Sequence, residues 1–502
     1  MGWKLRRAPW DLASSFSIVY LGAVPGFPSR FDLPPADVIV VGSGPNGLSA
    51  AIRVAQAGHS VLLLEGADQA GGGVRSSEST VPGFIHDVCS SVYPLTLCSP
   101  FLRSLPLHAH GLEWVFPTVA LAHPFDDGSA VVLNPSIEET AASLGVDGQN
   151  YRTLVEAFTG RWKDVFDDIL APLHFPHHPV LYGRFGLNAI RSAAGFAQAK
   201  FTTEHGRAFF AGLAAHAMLP LEALSTAGVG LMLALSAHGV GWPFARGGAQ
   251  ELTRSLLSLF RSLGGDIYTN HRVESLDQLP PARAILFDVT PRQFLQIAGD
   301  RLPDRYRRKL SRYVYGMGAF KIDWALSEPV PWRALECSQA GTIHLGGSLE
   351  EICRSEREAW SGIASARPYV LFSQPSIFDS RRAPSGKHVG WAYCHVPHGF
   401  AGNVVENIEQ QIERFAPGFR DCIQARSVRR PLDLEQYNPN MIGGDIAGGA
   451  SNLSQLFLRP TASLYRTALK SVYLCSSSTP PGAGVHGMCG YFAAEQALRD
   501  LR

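Results

Sequence analysis

Val38-Ile-Val-Val41-Gly42-Ser-Gly44-Pro-Asn-Gly47, running on through Leu48 to Gln56, Gly58 and Ser60-Val-Leu-Leu-Leu64-Glu65, is the stretch that decides the fold. Val38 to Val41 is a continuous β-branched run suited to a strand buried on both faces of a parallel sheet. In the turn that follows, the first glycine permits the tight bend, the second lets the backbone approach a pyrophosphate, and the third allows close helix–strand packing. An Ala- and Leu-rich helix opens at Gly47 and stops at Gly58, and its free N-terminal N–H groups face an anion. The second strand ends at Glu65, at the place where an acid accepts ribose hydroxyls. The order strand, glycine turn, helix, strand, acid reads as a dinucleotide-binding βαβ unit. Its ADP-reading half is common to NAD and FAD.

Two features choose FAD. Gly66-Ala-Asp-Gln-Ala-Gly71-Gly72-Gly73-Val74-Arg75 is a second glycine cluster ending in a cation, where a nicotinamide enzyme would continue into its next helix. At the far end, Ser471 to Cys475 reads as a strand, and Gly482-Ala-Gly484-Val485-His486-Gly487 as a glycine loop opening a last helix. Too little chain follows Gly487 for a second βαβ unit. The segment therefore reads as a helix N-terminus delivered to an anion or to an electron-rich ring.

These stretches, together with Pro82 to Ser90 and Gly241-Trp-Pro-Phe-Ala-Arg-Gly247-Gly248, resemble the phytoene-desaturase-like FAD oxidoreductases, relatives of carotenoid desaturases and flavin amine oxidases. The resemblance runs from about Ala36 to the C-terminus. It is nearest a branch labelled pyridine nucleotide-disulfide oxidoreductase domain proteins, although the chain has neither a redox dithiol nor a second complete nucleotide fold. It implies an α/β architecture: a Rossmann-type FAD-binding domain of the glutathione-reductase/amine-oxidase kind with an interleaved α+β substrate domain. The implied division gives residues 36–110, 240–300 and 437–502 to FAD, 111–239 and 301–436 to substrate, and 1–35 to an N-terminal extension. By the same resemblance Gly42, Gly44, Pro45, Asn46, Gly47, Glu65, Gly66, Gly72, Gly73, Val74 and Arg75 hold the ADP and pyrophosphate. Val273 meets the adenine through its backbone, and Gly482, Gly484, Val485, His486 and Gly487 hold the flavin pyrophosphate and pyrimidine. The chain departs from the wider pattern at Cys475-Ser476-Ser477 and in having Gly73 directly after its Gly-Gly pair. His86 and His486 are the candidate polar groups beside the flavin ring.

Composition bounds the rest. Forty-four basic against 43 acidic side chains, without a long block of like charge, leave no electrostatic footprint for nucleic acid. Eight cysteines in 502 residues, none in C-x-x-C, fit reduced thiols and a cytoplasmic setting. Met1 to Arg30 is basic, with an apolar run from Phe16 to Val24 that is too short to span a bilayer. Leu187 to Leu235, rich in Ala, Leu and Phe with Phe209, Phe210, Met218 and Met232 at helical spacing, reads as a buried helix pair or as the lining of an apolar pocket or a membrane-facing lid. The partner expected is thus an apolar or amphiphilic small molecule, with a peripheral membrane contact left open. His174-x-x-His177-His178 and His395-x-x-His398 lack cysteine or carboxylate partners at ligand spacing, so no metal is expected. Hydride transfer to the flavin is the leading activity. Isomerisation of a polyene by reduced flavin, or a structural flavin serving a partner, are the alternatives.

Overall fold

A computed structural model describes residues 33–456 and 458–502, so the expected extension lies almost wholly outside the described residues. Three short apolar strands, Val38–Val41, Val61–Leu64 and Ala284–Phe287, lie side by side in parallel. Val472–Leu474 joins one edge and Asp266–Tyr268 the other, completing a five-stranded parallel sheet. The central strands are buried on both faces, which is why they read as unbroken Val, Ile and Leu. The strand Asp266–Tyr268 is only three residues long. After Tyr268 the chain leaves the sheet, and Asn270 and His271 donate their backbone N–H groups to Ala67 and Glu65.

The helix Pro45–Gln56 covers one face, with proline in its first turn, where no N–H is needed. The last helix, Met488–Leu501, crosses it so closely that a Cβ on Gly490 would overlap the Asn46 carbonyl. The C-terminal segment thereby becomes part of the nucleotide unit.

A second, seven-stranded mixed sheet runs in the order Ile423–Arg429, Gly318–Leu326, His388–Val396, Val370–Ser373, Ala340–Leu345, Val119–Pro124, Ala130–Leu133. The helices Glu204–Ala215 and Thr226–Val240 pack together beside it in the largest core cluster. No helix among the described residues is long and apolar enough to cross a membrane.

Candidate active site

A cavity of about 1480 Å³ runs from the glycine turn of the first strand, along one face of the second sheet, to the helical region. Gly42, Gly44, Pro45, Asn46, Glu65, Gly66, Gly72, Gly73, Val74, Arg75, Val273, Gly484, Val485 and His486 all line it, so residues more than 400 positions apart in sequence converge on one space. The two N-terminal glycine clusters meet there: a Cβ on Gly72 would come within 3.0 Å of Gly44 Cα. Gly47, Gly482 and Gly487 stand behind the wall instead. Gly47 must be glycine because a Cβ would overlap the Gly42 carbonyl. The Gly482 carbonyl accepts from Cys489 Sγ, and Gly487 packs on Ser49.

Glu65 sits at the end of its strand and accepts the Ser43 N–H at 3.0 Å, the Ser43 hydroxyl, and the Ala67 N–H at 2.9 Å. A carboxylate has about four lone-pair sites, so capacity remains for a ribose. Arg75 is buried. It spends its guanidinium on the carbonyls of Gly72 and Gln69 at 3.0 and 3.3 Å and stacks 4.2 Å from the Tyr437 ring, so it shapes the glycine loop as well as charging it.

The two histidine candidates part company. His486 lines the cavity; its Nδ1 accepts the Met488 N–H at 3.0 Å, so the proton sits on Nε2, and the Ala483 and Gly482 carbonyls interact with the ring. Burial pulls its pKa down to about 4, so the ring is neutral. His86 does not line the cavity. Its Nε2 lies 2.8 Å from Thr80 Oγ1 and its Nδ1 3.7 Å from Asp323, whose ion-pair partner Lys321 lines the cavity. Its position on the two-residue strand His86–Asp87, paired to Ser76–Ser77, turns it inward, which local sequence does not reveal.

Several cavity residues carried no sequence signal. Asp288 follows the strand Ala284–Phe287, and its Oδ2 accepts the Gly47 N–H at 3.0 Å, capping the helix whose N-terminus the glycine turn exposes. Burial, with the Glu65 charge adding to it, raises its pKa to about 7. Lys321, Tyr393 and Leu371 stand in cross-strand register on the second sheet and line the cavity. The Lys321 ammonium contacts Asp323 and lies 5.6 Å from the Trp391 ring; burial lowers its pKa while Asp323 raises it.

The expectation that the histidine cluster had no carboxylate is corrected: Asp168 Oδ1 lies 2.8 Å from His177 Nδ1 and 3.1 Å from His174 Nε2, and the three ligand atoms fall within 4.8 Å of one another. Asp168 also accepts the backbone N–H groups of His177 and His178, so it clamps the loop after the helix Trp162–Ile169. The eight cysteines are all free.

The residues fit a flavin dinucleotide. Ligand pockets commonly measure about 300–1,000 Å³, so a space of 1480 Å³ has room for a dinucleotide and a substrate together. Glycine backbone is bared at its first end, and Asn46 Oδ1, buried and without a hydrogen-bond partner among the described residues, stands at the first glycine turn.

The profile of the family "FAD dependent oxidoreductase" matches residues 37–295, more than half of the chain, and the chain belongs to that family. It is 25% identical over 568 residues to "Pyridine nucleotide-disulfide oxidoreductase domain-containing protein 2" of Mus musculus, covering 93% of this chain and 94% of that one. It is 23% identical over 493 residues to a "Phytoene desaturase (lycopene-forming)" of Pantoea ananas, covering 91% and 98%. Among solved structures, an oxidoreductase from Methanosarcina mazei superposes with a TM-score of 0.62 at 15% identity, covering 91% of this chain and 99% of that one, a likeness of fold.

Proposed function

Starting from its place among the FAD-dependent oxidoreductases, we propose that this enzyme oxidises an apolar or amphiphilic organic substrate held in the helical arm of the cavity. The observation that carries this reading is the continuity of one space from the bared glycine backbone to an arm walled by Leu170, Phe185, Ile190, Met218, Val229 and Met232. Bound FAD supplies a two-electron acceptor at N5 that oxygen, a quinone or another oxidant can regenerate.

In this reading the chain's own residues do four things. The N–H groups at the start of the helix Pro45–Gln56 and the Gly72–Arg75 loop hold the pyrophosphate, and Glu65 the ribose. Ala483 to His486 bring the start of the last helix to the flavin pyrimidine, where a positive dipole end suits developing negative charge. Lys321, Trp391 and Tyr393 form a rigid sheet face that orients the substrate and excludes water from it. The apolar arm binds the rest of the substrate, so most of the binding free energy comes from area removed from water.

The segment that walls the arm is exposed at the arm's opening, where Leu173 and Leu187 also line the cavity. Leu173, Phe175, Val180 and Leu187 are 65, 85, 88 and 77% exposed. An apolar mouth of this kind supports uptake of substrate at a lipid surface. The test is anaerobic mixing of holoenzyme with long-chain apolar candidates and with small charged metabolites. Bleaching of the flavin by the former supports the proposal; bleaching by the charged metabolites alone refutes it.

A further inference from the structure

One polar group in the cavity wall is accounted for neither by the nucleotide nor by the apolar arm. His216 follows the helix Glu204–Ala215, lines the cavity near Met218 and Trp242, and places its Nε2 3.0 Å from His344 Nε2. His344, on the strand Ala340–Leu345, is fully buried, and its Nδ1 has no hydrogen-bond partner among the described residues. Burial pulls His216 down to about 3 and His344 well below the ordinary imidazole range, so both rings are neutral at working pH.

In a neutral pair joined by one N–H···N bond, one ring donates and the other accepts. Nearby His123 shows what settles such a choice: its Nε2 is 3.0 Å from the Gly347 carbonyl, which only accepts, so Nε2 carries the proton. Among the described residues no group settles it for His344. When His344 donates, His216 carries its proton on Nδ1 and offers a donor; when His216 donates, its Nδ1 is bare and accepts. The pair thus presents either polarity without creating charge. Besides burial, the group that acts on His216 is His395, itself paired with Glu356 at 2.7 Å, and no lysine or arginine among the described residues acts on it to compensate an anion.

We propose that His216, held by His344, is the headgroup site of the substrate cavity: it binds an uncharged hydroxyl or carbonyl on an otherwise apolar substrate and discriminates against a carboxylate. The proposal rests on the apolar reading of the arm, and the test separates the two. Holoenzyme is loaded with the neutral fluorophore N-phenyl-1-naphthylamine, which is then displaced at pH 8 by 1-decanol or by decanoate. We expect decanol to bind more tightly than decanoate by more than about tenfold, the hydrogen bond to His216 being worth up to about tenfold by itself and the avoided unpaired charge adding to it. His216→Leu should weaken decanol by about tenfold while leaving decanoate and fluorophore affinity near the parent's, so that the preference narrows, and should lower the melting temperature because His344 Nε2 loses its partner; His216→Asn, which keeps a donor and an acceptor, should restore decanol affinity. An unchanged preference in His216→Leu, with the fluorophore bound, overturns the headgroup site and leaves the apolar arm standing. Failure of the fluorophore to bind holoenzyme removes the apolar reading and the headgroup site with it.

Discussion

Asp288→Asn tests the electrostatics at the start of the helix Pro45–Gln56. Asp288 and a pyrophosphate compete for the same N–H groups: its Oδ2 takes the Gly47 N–H, and a Cβ on Gly44 would lie 2.7 Å from that oxygen. The carboxyl is held at about 7 against an ordinary 3.8, with burial the main cause and Glu65 the charged neighbour that adds to it. That difference means the ionised form is disfavoured in the fold by ~4 kcal/mol. Because the folded value is raised, the associated stability is full below 3.8 and is lost as pH rises through about 7. The same sign governs cofactor binding. Below neutrality the acid is protonated and does not repel the pyrophosphate; above it, binding FAD requires either two neighbouring anions or the uptake of a proton. The Kd for FAD should therefore be flat in acid and rise by at most about tenfold per pH unit above 7, or about thirtyfold by pH 8.5. Asparagine keeps an acceptor for the Gly47 N–H and removes the charge, so its curve should be flat throughout. The assay is quenching of FAD fluorescence on titration with apoprotein from pH 6 to 9. Parallel curves for parent and variant would refute the reasoning.

Gly44→Val should abolish flavin uptake while far-ultraviolet circular dichroism stays unchanged, since its branched side chain fills the pyrophosphate approach and presses on Asp288. Arg382 is fully buried between Asp87 at 2.9 Å and Asp379 at 3.3 Å, so Arg382→Met leaves two unpaired carboxylates and should cost ~3–5 kcal/mol, read as a clear fall in melting temperature. A melting temperature within a degree of the parent's would show the acids find other partners. Holoenzyme should co-sediment with phosphatidylcholine vesicles, and Phe175→Ser with Leu187→Ser should reduce the bound fraction severalfold without altering flavin content; equal sedimentation would end the lipid-surface reading.

What the sequence by itself determined were the features that local backbone geometry demands. A buried parallel strand must be continuously apolar, the phosphate turn must be glycine where a Cβ would strike a carbonyl, and the acid must close the second strand; Val38 to Glu65 therefore announced the nucleotide unit. The C-terminal strand-turn-helix was legible for the same reason, and its close crossing with the first helix at Gly490 joins it to that unit. Only the tertiary structure decided which polar groups face the cavity. Asp288 reaches Gly47 across 241 positions and His216 meets His344 across 128. His86, in a conspicuous sequence motif, turned out to be enclosed with Thr80 and Asp323. Asp168, six residues before His174, went unread as its partner because the turn that folds the loop back is irregular. Ionisation state belongs to this second class, because burial sets the cost of a charge and burial is the sum of contacts from every element packed around the group. Side-chain facing and desolvation are many-body properties of the packed chain, whereas a glycine turn needs only its immediate neighbours.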